Sequence, residues 1–274
     1  MGKFYKFINE SKRVQRVTES DAKEMIRFNC KKSVNGTPIY RGTNFDSSDF
    51  GYGDPQGKIR TSANTSNFYT LIMSNSKPWK NYPPRNESFI CSLDYDYAYE
   101  YGSNAYRVVP YDGTPIGICS EMDVWDSFKD FDAMSEFNEG IESLAEKFNL
   151  NMNKMNSDYK YLLKALDTIG ENIREKELYV EGQRGDMKKF FREFLKQKKS
   201  LSEYTIKKLS PNYNNFKLKK PETIEPGSDV EVWFSGKAVF IDIDKEDEIL
   251  DTYGSILEWA NDIDESKKKQ EMVT

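Results

Sequence analysis

The run Val230-Glu231-Val232-Trp233-Phe234 places a carboxylate inside an apolar, strand-like stretch. Alternation puts Glu231 on the face opposite Val230, Val232 and Phe234. A charge there is costly unless it is used or paired, although a strand with one solvent face would seat it harmlessly. Asp229 stands two residues earlier on the same face, giving an acidic pair at strand spacing. Far upstream, Tyr40-Arg41-Gly42 closes a short strand, where a guanidinium followed by flexible backbone could grip phosphate oxygens. An arginine ending a strand is also an ordinary feature. A third set, Ser88-Phe89-Ile90-Cys91-Ser92, mixes hydroxyls and a thiol in an apolar run. Cys91 reads as a buried strand cysteine, because its activation would need a lysine, an arginine or a helix N-terminus.

What these groups can do is narrowed by a residue that is missing. The 274 residues include no histidine, which removes imidazole-based serine and cysteine hydrolases, His-ligated zinc enzymes and His phosphocarriers. Cys30, Cys91 and Cys119 are widely spaced and form no CxxC, so neither a disulfide framework nor a four-cysteine metal site is expected, and a reducing compartment follows. With 40 basic and 45 acidic residues the net charge is -5, which argues against coating nucleic acid by charge alone. No apolar run approaches the roughly 18 to 20 residues of a membrane helix, so a cytoplasmic protein without a membrane partner is expected. Gly51-Tyr52-Gly53-Asp54-Pro55-Gln56-Gly57-Lys58 has the wrong spacing for a phosphate loop and lacks Ser or Thr after the lysine.

The elements that must position these groups are read from periodicity. Val14, Val17, Met25, Ile26 and Phe28 predict an N-terminal helix between about residues 14 and 32, ended by Asn35-Gly36-Thr37-Pro38. A strand is predicted over 38–42, a long loop over 43–62, and a helix over 67–74. The run 88–93 reads as a strand, followed by an amphipathic helix ending at Gly102. A further strand, 105–110, meets the turn Asp112-Gly113 and a strand over 115–119, predicting a hairpin. Residues 131–210 carry apolar sets at spacings of three and four, predicting three or four helices. Within them MKKFFREFLKQKK is a solvated basic face or a contact for nucleic acid or an acidic partner. Strands return at 230–234 and in KAVFIDID, turned by Ser235-Gly236, before a final helix over 245–261 and a loose tail.

Taken in order, IYRGT, then SFICSLDYDYAYEYG, then EPGSDVEVWF, the chain resembles the mono-ADP-ribosyltransferases of the Arg-Ser-Glu type, including phage and bacterial members. The match covers about residues 35–125 and 221–245. The resemblance implies an α+β fold: a core of two small packed β-sheets with flanking helices, residues 1–130 and 211–274, and a helical insertion at 131–210. It also implies NAD as substrate, no metal, and a host protein or nucleic acid as acceptor of ADP-ribose. Carried onto this chain, Glu231 is the catalytic glutamate, Asp229 orients or deprotonates the acceptor, and Arg41 holds a phosphate or ribose of NAD beside Tyr40 and Gly42. Ser92 or Ser88 stands at the family's Ser-Thr-Ser strand, and Tyr40, Phe89 or Trp233 stacks on nicotinamide. The family strand reads aromatic-x-Ser-Thr-Ser, where this chain has Phe89-Ile90-Cys91-Ser92-Leu93. Two other functions fit the same scaffold: a non-catalytic phage structural or host-interaction protein, and a plain NAD glycohydrolase.

Overall fold

A computed structural model describes residues 14–43, 48–60, 66–100, 102–132, 134–176, 178–183, 185–225 and 229–262. In chain order these form β1 (Val14–Arg16), α1 (Glu19–Asn29), β2 (Ile39–Thr43), β3 (Phe50–Gly53), α2 (Phe68–Asn75), β4 (Phe89–Ser92), α3 (Tyr95–Tyr99), β5 (Asn104–Pro110), β6 (Ile116–Ile118) and α4 (Met134–Lys147). There follow α5 (Met152–Met155), α6 (Tyr159–Glu175), α7 (Leu178–Glu181), α8 (Gly185–Leu195), α9 (Leu201–Lys208), β7 (Lys217–Lys219), β8 (Glu231–Phe234), β9 (Ala238–Asp242), α10 (Ile243–Tyr253) and α11 (Ile256–Asn261). The fold is mixed α+β with an antiparallel sheet. Among the described residues it divides into two discontinuous compact units, one of 59–87 and 117–218, the other of 14–58, 88–116 and 219–262.

The helical unit takes in more chain than the expected 131–210, because flanking aromatics pack with it. Tyr69 meets Trp125 at 5.6 Å between ring centroids, and Trp79 meets Phe216 at 5.0 Å. The Trp79 indole N–H also donates to the Leu209 carbonyl at 2.9 Å. Helix α8 buries Met187, Phe190, Phe191 and Phe194. Its Lys188 and Arg192 both pair with Glu181 (2.7 Å each), so part of the basic face expected there is met by a carboxylate of the same unit. No helix among the described residues is long and apolar enough to cross a membrane.

In the sheet unit the strand order is β1-β3-β9-β5-β2-β4-β8. The N-terminal helical periodicity starts later than expected. Val14–Arg16 pairs with Gly51–Gly53 as a strand, and α1 begins only after Thr18, whose hydroxyl accepts from the Asp21 N–H at 3.1 Å in a capping box. The expected loop at 43–62 contains β3, bonded on both edges by β1 and β9. The glycine leaves room for the aromatic core: a Cβ at Gly53 would sit 2.6 Å from the Phe89 ring and force it to shift.

The expected hairpin after Asp112-Gly113 is absent, and the turn at Ser235-Gly236 does not pair the strands that flank it. β5 is bonded to β2 on one edge and to β9 on the other, which leaves no edge for the strand after Asp112-Gly113. β8 pairs with β4, and β9 with β3 and β5, so Ser235-Gly236 connects strands that are not neighbours. That connection decides the shape of the sheet. Four inter-strand steps separate β8 from β9, about 19 Å in a flat sheet. The chain from Phe234 to Ala238 can span at most about 14 Å. The sheet must therefore curl on itself, and the seam is the joint between β2 and β4, which is held by the one register pair Tyr40 and Ser92. A single hydrogen-bonded ladder, not two separate sheets, thus folds into two layers.

Each face has its own cover. Phe89, Phe234 and Phe240 meet inside the curl, with centroids 5.6 and 5.2 Å from Phe89. On the outer face Phe50, Val109, Val239 and Ile241 pack under Ala22, Ile26, Ile249, Ile256 and Trp259 of α1, α10 and α11, with Phe50 stacked on Trp259 at 5.2 Å. Gly42 lies under α3, where a Cβ would collide with the Ala98 carbonyl oxygen. Gly42→Ala is therefore expected to displace α3 and to cost about 1 to 3 kcal/mol. Thermal melts check this; an unchanged melting temperature would show that α3 tolerates the shift.

Candidate active site

The register brings three of the candidate residues into one row. Ser92 at the end of β4 lies opposite Tyr40 of β2 on one side and Glu231 of β8 on the other. Directly opposed residues of antiparallel strands project to the same face with Cα atoms about 4.5 to 5.5 Å apart. Tyr40, Ser92 and Glu231 therefore form a phenol, a hydroxyl and a carboxylate side by side on the outer face. Arg107 of β5, the register partner of Tyr40, extends the row by one more strand.

Glu231 is 8% exposed, and every residue of β8 is buried. The alternative of a strand with one solvent face does not hold, because Trp233 on the same side as Glu231 is fully buried. Asp229 lies before β8 and is exposed, so it is not a strand partner of Glu231 at fixed spacing. β8 starts at Glu231 and only the preceding backbone continues the ladder, the Val230 carbonyl accepting from Leu93 N–H at 3.1 Å.

The geometry also separates the two serines. Ser92 is buried beside Glu231, and its Oγ accepts from the Asp94 N–H at 2.9 Å. That turn leads directly into α3, capped by the Asp94 carboxylate accepting from Tyr97 N–H at 3.0 Å. Ser88 is buried as well, but four residues along an extended chain place it about 13 Å from Ser92. Only Ser92 adjoins the carboxylate. Cys91 is buried, forms no disulfide and lies opposite Val232 inside the curl, in agreement with its reading as a core cysteine.

Arg41 goes the other way. Neighbouring residues of a strand project to opposite faces, so the side chain next to Tyr40 enters the curl, away from Glu231. There its guanidinium lies 5.7 Å from the centre of the Phe89 ring and donates to the Ile90 carbonyl of β4. The residue is 6% exposed. It ties β2 to β4 at the seam where the ladder supplies a single register pair. Phe89 and Trp233, two of the three rings considered for stacking on nicotinamide, are 1% and 0% exposed and fully committed to the core. Tyr40 is only partly buried and meets Tyr95 edge-on at 5.7 Å.

A buried ion pair at the far end of the row went unmarked in the sequence. Arg107 Nη1 and Glu246 Oε1 of α10 are 3.1 Å apart, each side chain 7% exposed. Arg107 also donates to the Val34 carbonyl at 3.4 Å. Burial pushes the Glu246 carboxyl above its usual range, and the Arg107 guanidinium opposes this shift. Burial also raises the Tyr40 phenol, with Glu246 adding to the rise and Arg107 opposing it. The signal was available: Arg107 sits in Ala105-Tyr106-Arg107-Val108-Val109, as anomalous in an apolar strand as Glu231 is in its own. No protein-family model, curated protein or solved structure matches this chain.

Proposed function

We propose that this chain is an NAD-dependent mono-ADP-ribosyltransferase in which Glu231 is the carboxylate beside the reacting ribose and Ser92 its positioning neighbour. The observation that carries the reading is the register pair of Ser92 and Glu231, a carboxylate and a hydroxyl side by side on one face, with the exposed Asp229 two residues before Glu231 in the chain. The order of the three motifs along the chain and the absence of histidine support the same chemistry.

The reaction breaks the bond between the anomeric carbon and the nicotinamide nitrogen, and the electron pair leaves with neutral nicotinamide. Positive charge then develops on the ribose, and a fixed anion nearby lowers the barrier because it binds the transition state better than the ground state. Glu231 supplies that anion and accepts from the ribose hydroxyl; Ser92 limits its rotation. An acceptor nucleophile forms the new bond to the anomeric carbon, and its proton passes to Asp229, the exposed carboxylate two residues before Glu231. Arg41 enters this scheme as the tie between β2 and β4 that holds Ser92 in register, not as a clamp on the diphosphate.

The internal engagement of Arg41 favours a second reading, in which the same scaffold binds a partner without turning over NAD. Incubation of the pure protein with adenine-labelled NAD and a cell lysate, followed by protease or nuclease, separates the two. Label on a macromolecule, removed by one of the two treatments, is the expected result. Label confined to free ADP-ribose identifies an NAD glycohydrolase, and NAD left intact, with no melting shift at saturating NAD, supports the non-catalytic reading.

A further inference from the structure

Helix α3 and helix α10 expose a surface that neither the fold nor the proposed reaction uses. Tyr95 and Tyr99, one helical turn apart on α3, are 38% and 50% exposed. Their rings meet edge-on at 5.8 Å, and Tyr95 meets Tyr40 beneath it at 5.7 Å, so the pair is held on a packed base. Burying an aromatic ring is favourable, and two exposed tyrosines on a five-residue helix leave apolar surface uncovered.

All the charged residues of α3 and α10 except Lys245 are acidic. Asp96 of α3 and Asp244 and Asp247 of α10 are exposed. Partial desolvation holds the Tyr95 phenol above its ordinary range, and Tyr99 and the carboxylates of Asp244, Asp247 and Asp96 push it in the same direction. Geometry places α10 at the same spot: Tyr95 lies on Tyr40, whose register partner Arg107 is held 3.1 Å from Glu246, the residue next to Asp247. The basic residues of the neighbouring elements are occupied: Lys245, the one basic residue of α10, pairs with Glu248 at 2.8 Å, and Arg107 is buried on Glu246.

We propose that the Tyr95–Tyr99 surface, bordered by Asp96, Asp244 and Asp247, docks an arginine- or lysine-rich polypeptide segment of a partner protein. The faces of tyrosine rings attract guanidinium and ammonium groups, and the carboxylates add long-range attraction and a preference against nucleic acid and acidic lipid. The surface recognises its partner whether or not the chain turns over NAD.

The test uses the full chain and a fluorescein-labelled hexa-arginine peptide, followed by anisotropy at low and at physiological ionic strength. Saturable binding that weakens with salt is expected, with no binding of a labelled hexaglutamate peptide or of single-stranded DNA. The double variant Tyr95→Ala/Tyr99→Ala is expected to bind the peptide about tenfold more weakly. Asp244→Asn/Asp247→Asn is expected to bind severalfold more weakly and with a flatter salt dependence. All four side chains are exposed, so melting temperatures should stay at the parent's; if the tyrosine variant unfolds, the aspartate variant decides. The proposal is overturned if the parent shows no saturable peptide binding or if the folded variants bind like the parent. It is equally overturned if sedimentation shows that a second copy of the chain covers this surface and excludes the peptide.

Discussion

Glu231→Gln is expected to abolish measurable NAD cleavage while leaving the protein folded. The amide keeps the size and the acceptor oxygen of the carboxylate but not its charge. Removal of one electrostatic contact to a developing charge typically lowers turnover by about 10² to 10³-fold. The loss should fall on kcat, because the charge on the ribose exists only in the transition state. Nicotinamide release followed by chromatography measures it, with a thermal melt alongside. Parent-level turnover by a folded Glu231→Gln protein would falsify the assignment of this carboxylate. The expectation depends on the buried pairing of Glu231 with Ser92 on the outer face of β8, an environment in which a fixed charge is poorly screened.

The second large effect concerns stability and is asymmetric. Glu246→Ala leaves the Arg107 guanidinium buried without its carboxylate, and a guanidinium cannot shed its proton to escape. The cost is expected to be about 3 to 5 kcal/mol, or a fall in melting temperature on the order of 10 °C for a chain of this size. Arg107→Ala should be milder at acid pH, because Glu246 can take up a proton. Burial already raises its folded-state value, and loss of the guanidinium raises it further. A carboxyl whose folded value lies above its unfolded value binds the proton more tightly when folded. Stability is then fullest below the unfolded value of about 4.3 and falls as pH rises through that value towards the folded one. The difference in melting temperature between Arg107→Ala and the parent should therefore widen from pH 4.5 to pH 7.5. Equal penalties for the two variants at every pH would mean that the pair does not act as a buried ion pair.

These two carboxylates also show how far the chain could be read without coordinates. Glu231 was visible because a charge interrupted an apolar alternation, a purely local signal. The same signal was present at Arg107 but went unused, and its partner Glu246 lies 139 residues away on a helix with several acidic residues. Capping could be read the same way: Thr18 and Asp21 stand at the spacing of a capping box, yet the apolar Val14 and Val17 suggested an earlier start. Helical periodicity cannot tell a first turn from a three-residue edge strand, because the strand forms only when Gly51–Gly53 arrives beside it.

Local sequence determined most of the helices and the strands carrying Arg41, Ser92, Arg107 and Glu231, the core character of Cys91, the anomaly of a carboxylate at Glu231 and the exclusion of imidazole chemistry, since each depends on residue identity or on neighbours within a few positions. Strand pairing did not follow from it. Asp112-Gly113 and Ser235-Gly236 look like hairpin turns, but both edges of β5 are taken by strands distant in sequence, and a connection too short to cross a flat sheet forces the sheet to curl. That curl decided which side of β2 faces inward, and with it that Tyr40, Ser92 and Glu231 share a face while Arg41 holds the seam. Side-chain alternation is written in the sequence, whereas the facing direction is set only when long-range pairing chooses the register.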